Sequence, residues 1–270
     1  MSLNVSNLSV LEDGTKEWRL NGKRHNENGP AVIAIDGTKA WYINGELHNE
    51  NGPAVIAIDG TKAWFINGEL HNENGPAVIA IDGTKAWFIN GKRHNENGPA
   101  TIAIDGTKAW FINGKRHNEN GPAVIWSDGV KWWCINGKLH NENGPAVIYA
   151  DGYKAWFING KLHNENGPAI ISPSDRREPA VLEPATRSSS DGQEPIYSSG
   201  CKEWWINDKE YTEEKFLIYK KLKDKYSLLG VPVRNKWRVR EIVYSWYDNP
   251  KFGCVQKRLE RECKELYRKI

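Results

Sequence analysis

The residues of this chain with the widest chemical repertoire are its histidines, and they recur at one spacing. His25, His48, His71, His94, His117, His140 and His163 stand 23 residues apart, each followed two positions later by a glutamate, as Glu73 follows His71. An imidazole beside a carboxylate could ligate a metal ion or work as a general acid–base dyad. The repeat argues against both. Stacked hairpin units place successive imidazoles about 10 Å apart, too far to share one ion, and a row of equivalent dyads is not one active site. No nucleophile elbow, phosphate loop or paired-carboxylate motif occurs either. The sequence therefore predicts a non-enzymatic protein with no cofactor and no metal site. His48, His71, His94, His117 and His140 are read as inter-repeat structural residues, because the last degenerate copy, which has no successor, carries Tyr211 in place of the histidine.

The elements that must position this row are short. In the third copy Ala54–Ile58 is a β-branched run, Asp59-Gly60 a hairpin signal, Thr61–Ile66 a second run, Asn67-Gly68 another hairpin signal and Glu69–His71 a short return. Asn72-Glu73-Asn74-Gly75-Pro76 then breaks the pairing. With two-residue type I′ turns at both Asx-Gly pairs, Ile58 faces Thr61, Val55 faces Trp64, Ile66 faces Glu69 and Trp64 faces His71. That register puts Val55, Ala57, Lys62, Trp64, Ile66 and His71 on one face, and Ala54, Ile56, Ile58, Ala63, Phe65 and Leu70 on the other. A three-residue Asp-Gly-Thr loop with a bulge would mix the two sets. One unit cannot bury its own Trp and Ile, so stacking on neighbours must do so. The predicted class is mainly β: an elongated repeat sheet or solenoid of antiparallel hairpins, with a small C-terminal α-helical cap.

Composition bounds the rest. The 270 residues are 39% hydrophobic and 26% charged, values of a globular chain. No apolar run reaches the ~20 residues of a membrane span, and the first residues lack a signal-peptide pattern, so a cytoplasmic, non-secreted protein is expected. Cys134, Cys201, Cys254 and Cys263 form no C-x-x-C pair and read as free thiols. From Cys201 onward 18 Lys and Arg meet 11 Asp and Glu, against 19 and 23 before it, so a mildly acidic array joins a basic tail.

The divergent copies mark the boundaries. The sixth brings in Trp126, Val130, Trp132 and Cys134, and the last, Gly200–Tyr211, is read as keeping Trp205 in frame with the earlier tryptophans. The expected organisation is a repeat array over 1–171, a flexible Pro/Ser-rich insertion over 172–195, a terminal degenerate repeat over 196–211 and a basic helical cap over 212–270. Thr212 reads as the N-cap of a first helix that stops at Gly230, with two more over 237–247 and 254–267. Within that cap Arg234, Lys236, Arg238 and Arg240 form a candidate anion contact.

The unit Asp59, Gly60, Lys62, Trp64, Asn67, Gly68, His71, Glu73, Gly75, Pro76, Ala77 resembles the MORN-type repeat. It is similar to a D-G-x-K-x-W-x-x-N-G-x-x-H-x-E-x-G-P-A variant met in proteins of large DNA viruses and bacteriophages. The resemblance covers residues 10–171 and 200–211. It departs from the family where the Y-x-G before the Trp is absent and where the Asn-Glu-Asn-Gly-Pro connection is longer. It implies an elongated single-sheet scaffold for protein contacts, and in the family also phosphoinositide binding, through basic residues that lie outside this motif. The leading expectation is a virus-encoded scaffold that binds a protein through an aromatic strip of Trp41, Trp64, Trp87, Trp110, Trp133 and Trp156, with the C-terminal helices as a second contact or homodimer surface. The alternative is anionic-lipid or nucleic-acid binding through the basic tail.

Overall fold

Each Asp-Gly-Thr segment is held by its own aspartate. In the computed structural model, which describes residues 6–173 and 202–228, Asp59 Oδ1 accepts the Thr61 amide at 2.8 Å and Oδ2 accepts the Thr61 hydroxyl at 3.1 Å. Gly60 N–H donates to Ala57 O and Ala57 N–H to Thr61 O. Only Gly60, at φ 89°, takes a left-handed conformation. The turn is thus a three-residue loop, Ile58-Asp59-Gly60, built as a type I turn closed by a glycine bulge. It is neither the expected two-residue type I′ turn nor an Asp-Gly-Thr loop.

This one-residue change corrects the register. Val55 pairs with Ala63 and Ile56 with Lys62, so Val55, Ala57, Thr61 and Ala63 share one face while Ile56 and Lys62 share the other. The expected grouping of Lys62 with Val55, and the Ile58–Thr61 and Val55–Trp64 pairs, do not occur. The second turn follows the expected geometry. Asn67 and Gly68 both have positive φ, 49° and 78°, Ile66 pairs with Glu69, and the His71 amide donates to Trp64 O at 3.0 Å.

The described residues fall into two compact units, 6–141 with 146–150, and 142–145 with 151–173 and 202–228. In the first, the strand Asn7–Val10 pairs antiparallel with Lys16–Leu20, which also pairs with Val32–Ile33. From there each two-residue strand pairs with the next of the ladder in chain order: Lys39–Ala40, Val55–Ile56, Lys62–Ala63, Val78–Ile79 and onward to Val147–Ile148. Two ladder strands per repeat advance the sheet by about 10 Å. The extended stretch Lys62–Ile66 leaves this ladder at Trp64, and Phe65–Ile66 pairs with Glu69–Leu70 in a separate hairpin. Neighbouring hairpins are joined by backbone bonds such as Gly68 N–H to Leu47 O, 2.9 Å, and Asn72 N–H to Phe88 O, 3.1 Å.

The most deeply buried row is alanine. Ala31, Ala54, Ala77, Ala100, Ala123, Ala146 and Ala169, the residues after each Gly-Pro, are 0% exposed, while every repeat tryptophan is half-buried. The Asn-Glu-Asn-Gly-Pro loop delivers this alanine: Asn72 Nδ2 donates to Pro76 O and Asn72 Oδ1 accepts the Asn74 amide. Burial deepens in the sixth copy, where Val130, Trp132 and Cys134 are buried and Trp126 meets Trp132 edge-on at 4.8 Å between centroids.

In the second unit Ile170–Ile171 pairs with Lys154–Ala155 and with Lys202–Glu203, so the terminal copy resumes the ladder after residues 174–201, which lie outside the described residues. Trp204 pairs with Tyr211. Trp204, not Trp205, therefore holds the repeat-tryptophan position, and Trp205 stands where Phe65 does, with its carbonyl accepting the Asn164 amide. Asn207 and Asp208, at φ 51° and 61°, make the type I′ turn. The helix Glu213–Leu228 follows, its start capped by Thr212 Oγ1 accepting the Lys215 amide. Phe216 is buried against this unit and Tyr219 lies over Tyr211 at 6.0 Å. The remaining cap, and with it the two further helices expected over 237–247 and 254–267, lies outside the described residues.

Candidate protein-interaction surface

The histidine row falls at the junction between consecutive hairpins. The Nδ1 atoms of His25, His48, His71, His94 and His117 lie 2.9 to 3.2 Å from the Oδ1 of Asn44, Asn67, Asn90, Asn113 and Asn136 in the following copy. The backbone amide of the same asparagine points at the same nitrogen from 3.1 to 3.3 Å. One ring nitrogen cannot donate and accept at once. With its proton on Nε2 the ring accepts the backbone N–H, and the Asn amide turns its NH₂ inward; with Nδ1 protonated the ring donates to Oδ1. Nε2 lies 3.5 to 3.7 Å from the glutamate two residues on. His140 is half-buried, and its amide donates to Trp133 O at 3.0 Å. In the second unit His163 meets Asn207 at 3.0 Å, although residues 174–201 intervene in the chain. Burial lowers the pKa of His163 and nearby Lys223 pushes the same way, against the Asn207 contact. Glu165, the glutamate of this copy, forms an ion pair with Lys223 of the helix.

Charge is buried at one place in the first copy. Glu17, at a position that is alanine in copies two to five and seven, Trp132 in the sixth and Glu203 in the terminal one, is 1% exposed and paired with Arg24 at 2.6 Å and Arg19 at 2.7 Å. Burial raises its pKa, but hydrogen bonds from Arg24 and Arg19 outweigh it and hold the carboxyl below its ordinary value. Arg24 also lies over the Tyr42 ring, 5.4 Å from the centroid. Among the described residues no group of three or more His, Cys, Asp and Glu is placed to hold a metal ion.

The tryptophan strip is set by the backbone. The amides of Trp41, Trp64, Trp87, Trp110 and Trp133 donate to the O atoms of Ala54, Ala77, Ala100, Ala123 and Ala146, and that of Trp156 to Ala169 O, all at 2.8 Å. Each indole thus marks the corner where a strand leaves the main ladder. Arg234, Lys236, Arg238 and Arg240 lie outside the described residues.

A second row was not singled out from the sequence. Ile35, Ile58, Ile81 and Ile104 occupy the first position of the Asp-Gly turns and are 72%, 68%, 67% and 69% exposed. The two-residue turn expected from the sequence places Ile58 on an apolar strand face; the three-residue loop puts it and its equivalents at the turn tip instead. Each leans back over the preceding turn: a Cβ on Gly14 would lie 3.0 Å from Ile35 Cδ1, and one on Gly37 3.3 Å from Ile58 Cδ1. Ile58, Ile81 and Ile104 amides donate to Thr38, Thr61 and Thr84 Oγ1 at 3.2 to 3.3 Å. Because each threonine hydroxyl donates to its own aspartate, successive tips are tied into one hydrogen-bonded chain. Asp36, Asp59, Asp82 and Asp105 are exposed beside the isoleucines. The row ends where the position becomes Glu12 on one side and Ser127 on the other. The signal available in the sequence was a large apolar residue directly before Asp-Gly-Thr.

No protein-family model matches this chain, and no curated protein matches it either. The fold defines a β-hairpin repeat protein. No helix among the described residues is long and apolar enough to cross a membrane.

Proposed function

We propose that this chain is a non-enzymatic repeat scaffold that binds a protein partner along its hairpin array. The observation that carries this reading is the row Ile35, Ile58, Ile81 and Ile104, about two-thirds or more exposed and evenly spaced. Isolated exposed apolar residues are ordinary, whereas a contiguous row bordered by charge is typical of interaction surfaces. The half-buried tryptophans Trp41, Trp64, Trp87 and Trp110 supply aromatic area to the same array. The motif's likeness to repeats of large DNA viruses and phages supports a viral origin.

The test is crosslinking and quantitative capture from native or infected cells with the full chain and with its Ile58→Ser/Ile81→Ser variant. Proteins held by the wild type and lost from a variant of unchanged circular dichroism support the scaffold reading. Identical capture by both sinks it.

A further inference from the structure

The tip row has a spacing, and spacing selects a ligand. Equivalent tips are two ladder strands apart, about 9.6 Å, and the Thr Oγ1 bonds between turns fix that interval. Each tooth presents an exposed isoleucine and, next to it, an exposed aspartate.

Peptide conformations differ in whether they can meet such a comb. A β-strand turns alternate side chains to opposite faces, so its same-face residues recur every ~6.6 Å or ~13 Å and miss it. An α-helix returns to one face after seven residues at about 10.5 Å and drifts ~20° in azimuth each time. Over the three intervals between four teeth its lead grows to nearly 3 Å. A polyproline II segment has three residues per turn and rises about 3.1 Å each, so every third side chain returns to one face after about 9.3 Å. Its error over the same comb stays near 1 Å.

We propose, resting on the scaffold reading above, that Ile35, Ile58, Ile81 and Ile104 with Asp36, Asp59, Asp82 and Asp105 bind an extended polyproline II-type segment of a partner protein, with an apolar residue at every third position and a basic residue beside each. The apolar side chains seat between successive isoleucines, and the cations meet the aspartate row. Hydrogen bonds already tie successive tips together, so little ordering is left to oppose binding on that side. A polyproline II segment has no internal hydrogen bonds and is largely preformed in Pro-rich sequences, which lowers the cost on the other side.

The experiment is a fluorescence-anisotropy titration of the full chain with labelled peptides of about twelve residues. The first repeats apolar-Pro-Lys four times. The second has the same composition in scrambled order, the third replaces Lys by Glu, and the fourth is a heptad-patterned basic helix. The expected result is that the first peptide binds at least tenfold more tightly than each of the others, weakens with added salt, and loses at least tenfold on Ile58→Ser/Ile81→Ser. The preference for the Lys peptide over the Glu peptide should shrink several-fold at high salt, which reads the aspartate charge without altering the turns those carboxylates hold. Equal binding of ordered and scrambled peptides, preference for the Glu peptide or the heptad helix, or no binding at all overturns the proposal. So does a fall in mass by light scattering on Ile58→Ser/Ile81→Ser, which would assign the row to a second copy of this chain. If the peptides fail while the same variant still loses cellular partners, the scaffold reading stands and only the ligand class is wrong.

Discussion

Replacing Thr101 by valine should stabilise the protein. Thr101 sits in the ladder between Ala86 and Ala109, the setting that Val78 has between Ala63 and Ala86. Its Oγ1 is buried and has no hydrogen-bond partner. A hydroxyl taken from water without a partner costs about 1–3 kcal/mol, and the methyl that replaces it buries apolar surface worth up to ~0.8 kcal/mol. Threonine and valine share shape and β-branching, so little packing or rotamer entropy changes. The net gain expected for Thr101→Val is about 1–3 kcal/mol, and at roughly 2–4 °C per kcal/mol for a chain near this size it raises Tm by several degrees. Denaturant and thermal melts followed by circular dichroism measure it, with an unchanged m-value showing that the native fold is the same. The reciprocal Val78→Thr should cost a similar amount. A Thr101→Val variant that melts at or below the wild type would refute the reasoning, since the hydroxyl must then have a partner that valine removes.

Three other outcomes follow from particular contacts. Asn90 has φ 48° and meets His71 at 2.9 Å; Asn90→Gly keeps the backbone and loses the side-chain contact, whereas Asn90→Ala also carries the left-handed penalty of about 1 kcal/mol. Alanine should therefore melt below glycine at this site, and the reverse order would remove the turn from the argument. Glu17 has a lowered pKa, so its contribution is full above the ordinary value of 4.5 and is lost as pH falls through the lower folded value. Glu17→Gln should flatten that acid limb and cost about 1–2 kcal/mol at pH 7, less than the ~3–5 of a fully buried pair because both guanidiniums reach solvent. An acid limb of unchanged slope would assign it elsewhere. His163 also has a lowered pKa, so the unfolded chain takes up its proton first: stability is retained above about 6.5 and declines as pH falls through the folded value. Melts between pH 8 and 5 should show a shallower decline in His163→Gln than in the wild type, and equal slopes would count against the burial argument.

The two turns of the unit show what could be read from the sequence and what could not. Asn67-Gly68 was legible because asparagine tolerates the left-handed region and glycine follows it, and the bond from the Asn67 amide to His48 Nδ1 leaves both residues at positive φ. Asp59-Gly60 carries a similar dipeptide signal but has a different outcome, because the aspartate Oδ1 accepts the amide two residues on: Thr61 for Asp59, Val130 for Asp128 and Tyr153 for Asp151. That bond keeps the aspartate at negative φ and leaves only the glycine left-handed, with or without a threonine hydroxyl to add a second contact. The distinguishing signal was aspartate rather than asparagine before the glycine. In the terminal copy the adjacent Trp204 and Trp205 concealed the frame, yet counting three residues back from Asn207, as Trp64 stands three before Asn67, picks Trp204.

The exposed isoleucine row was hidden for a further reason. Copies two to five are nearly identical in sequence, so every position in them is equally repetitive, and repetition cannot separate a residue kept by packing from one kept by a ligand. Burial separates them. Ala54 and Ala77 repeat because nothing larger fits at 0% exposure, and Gly37 repeats because its backbone has positive φ beneath Ile58. Ile58 itself has no such reason: the fold tolerates Ser127 and Ala150 at the same position of later copies, in turns that keep Gly129 and Gly152 at positive φ. An exposed isoleucine that the turn does not require, present in four consecutive copies and absent beyond them, is therefore the position on which the binding proposal rests.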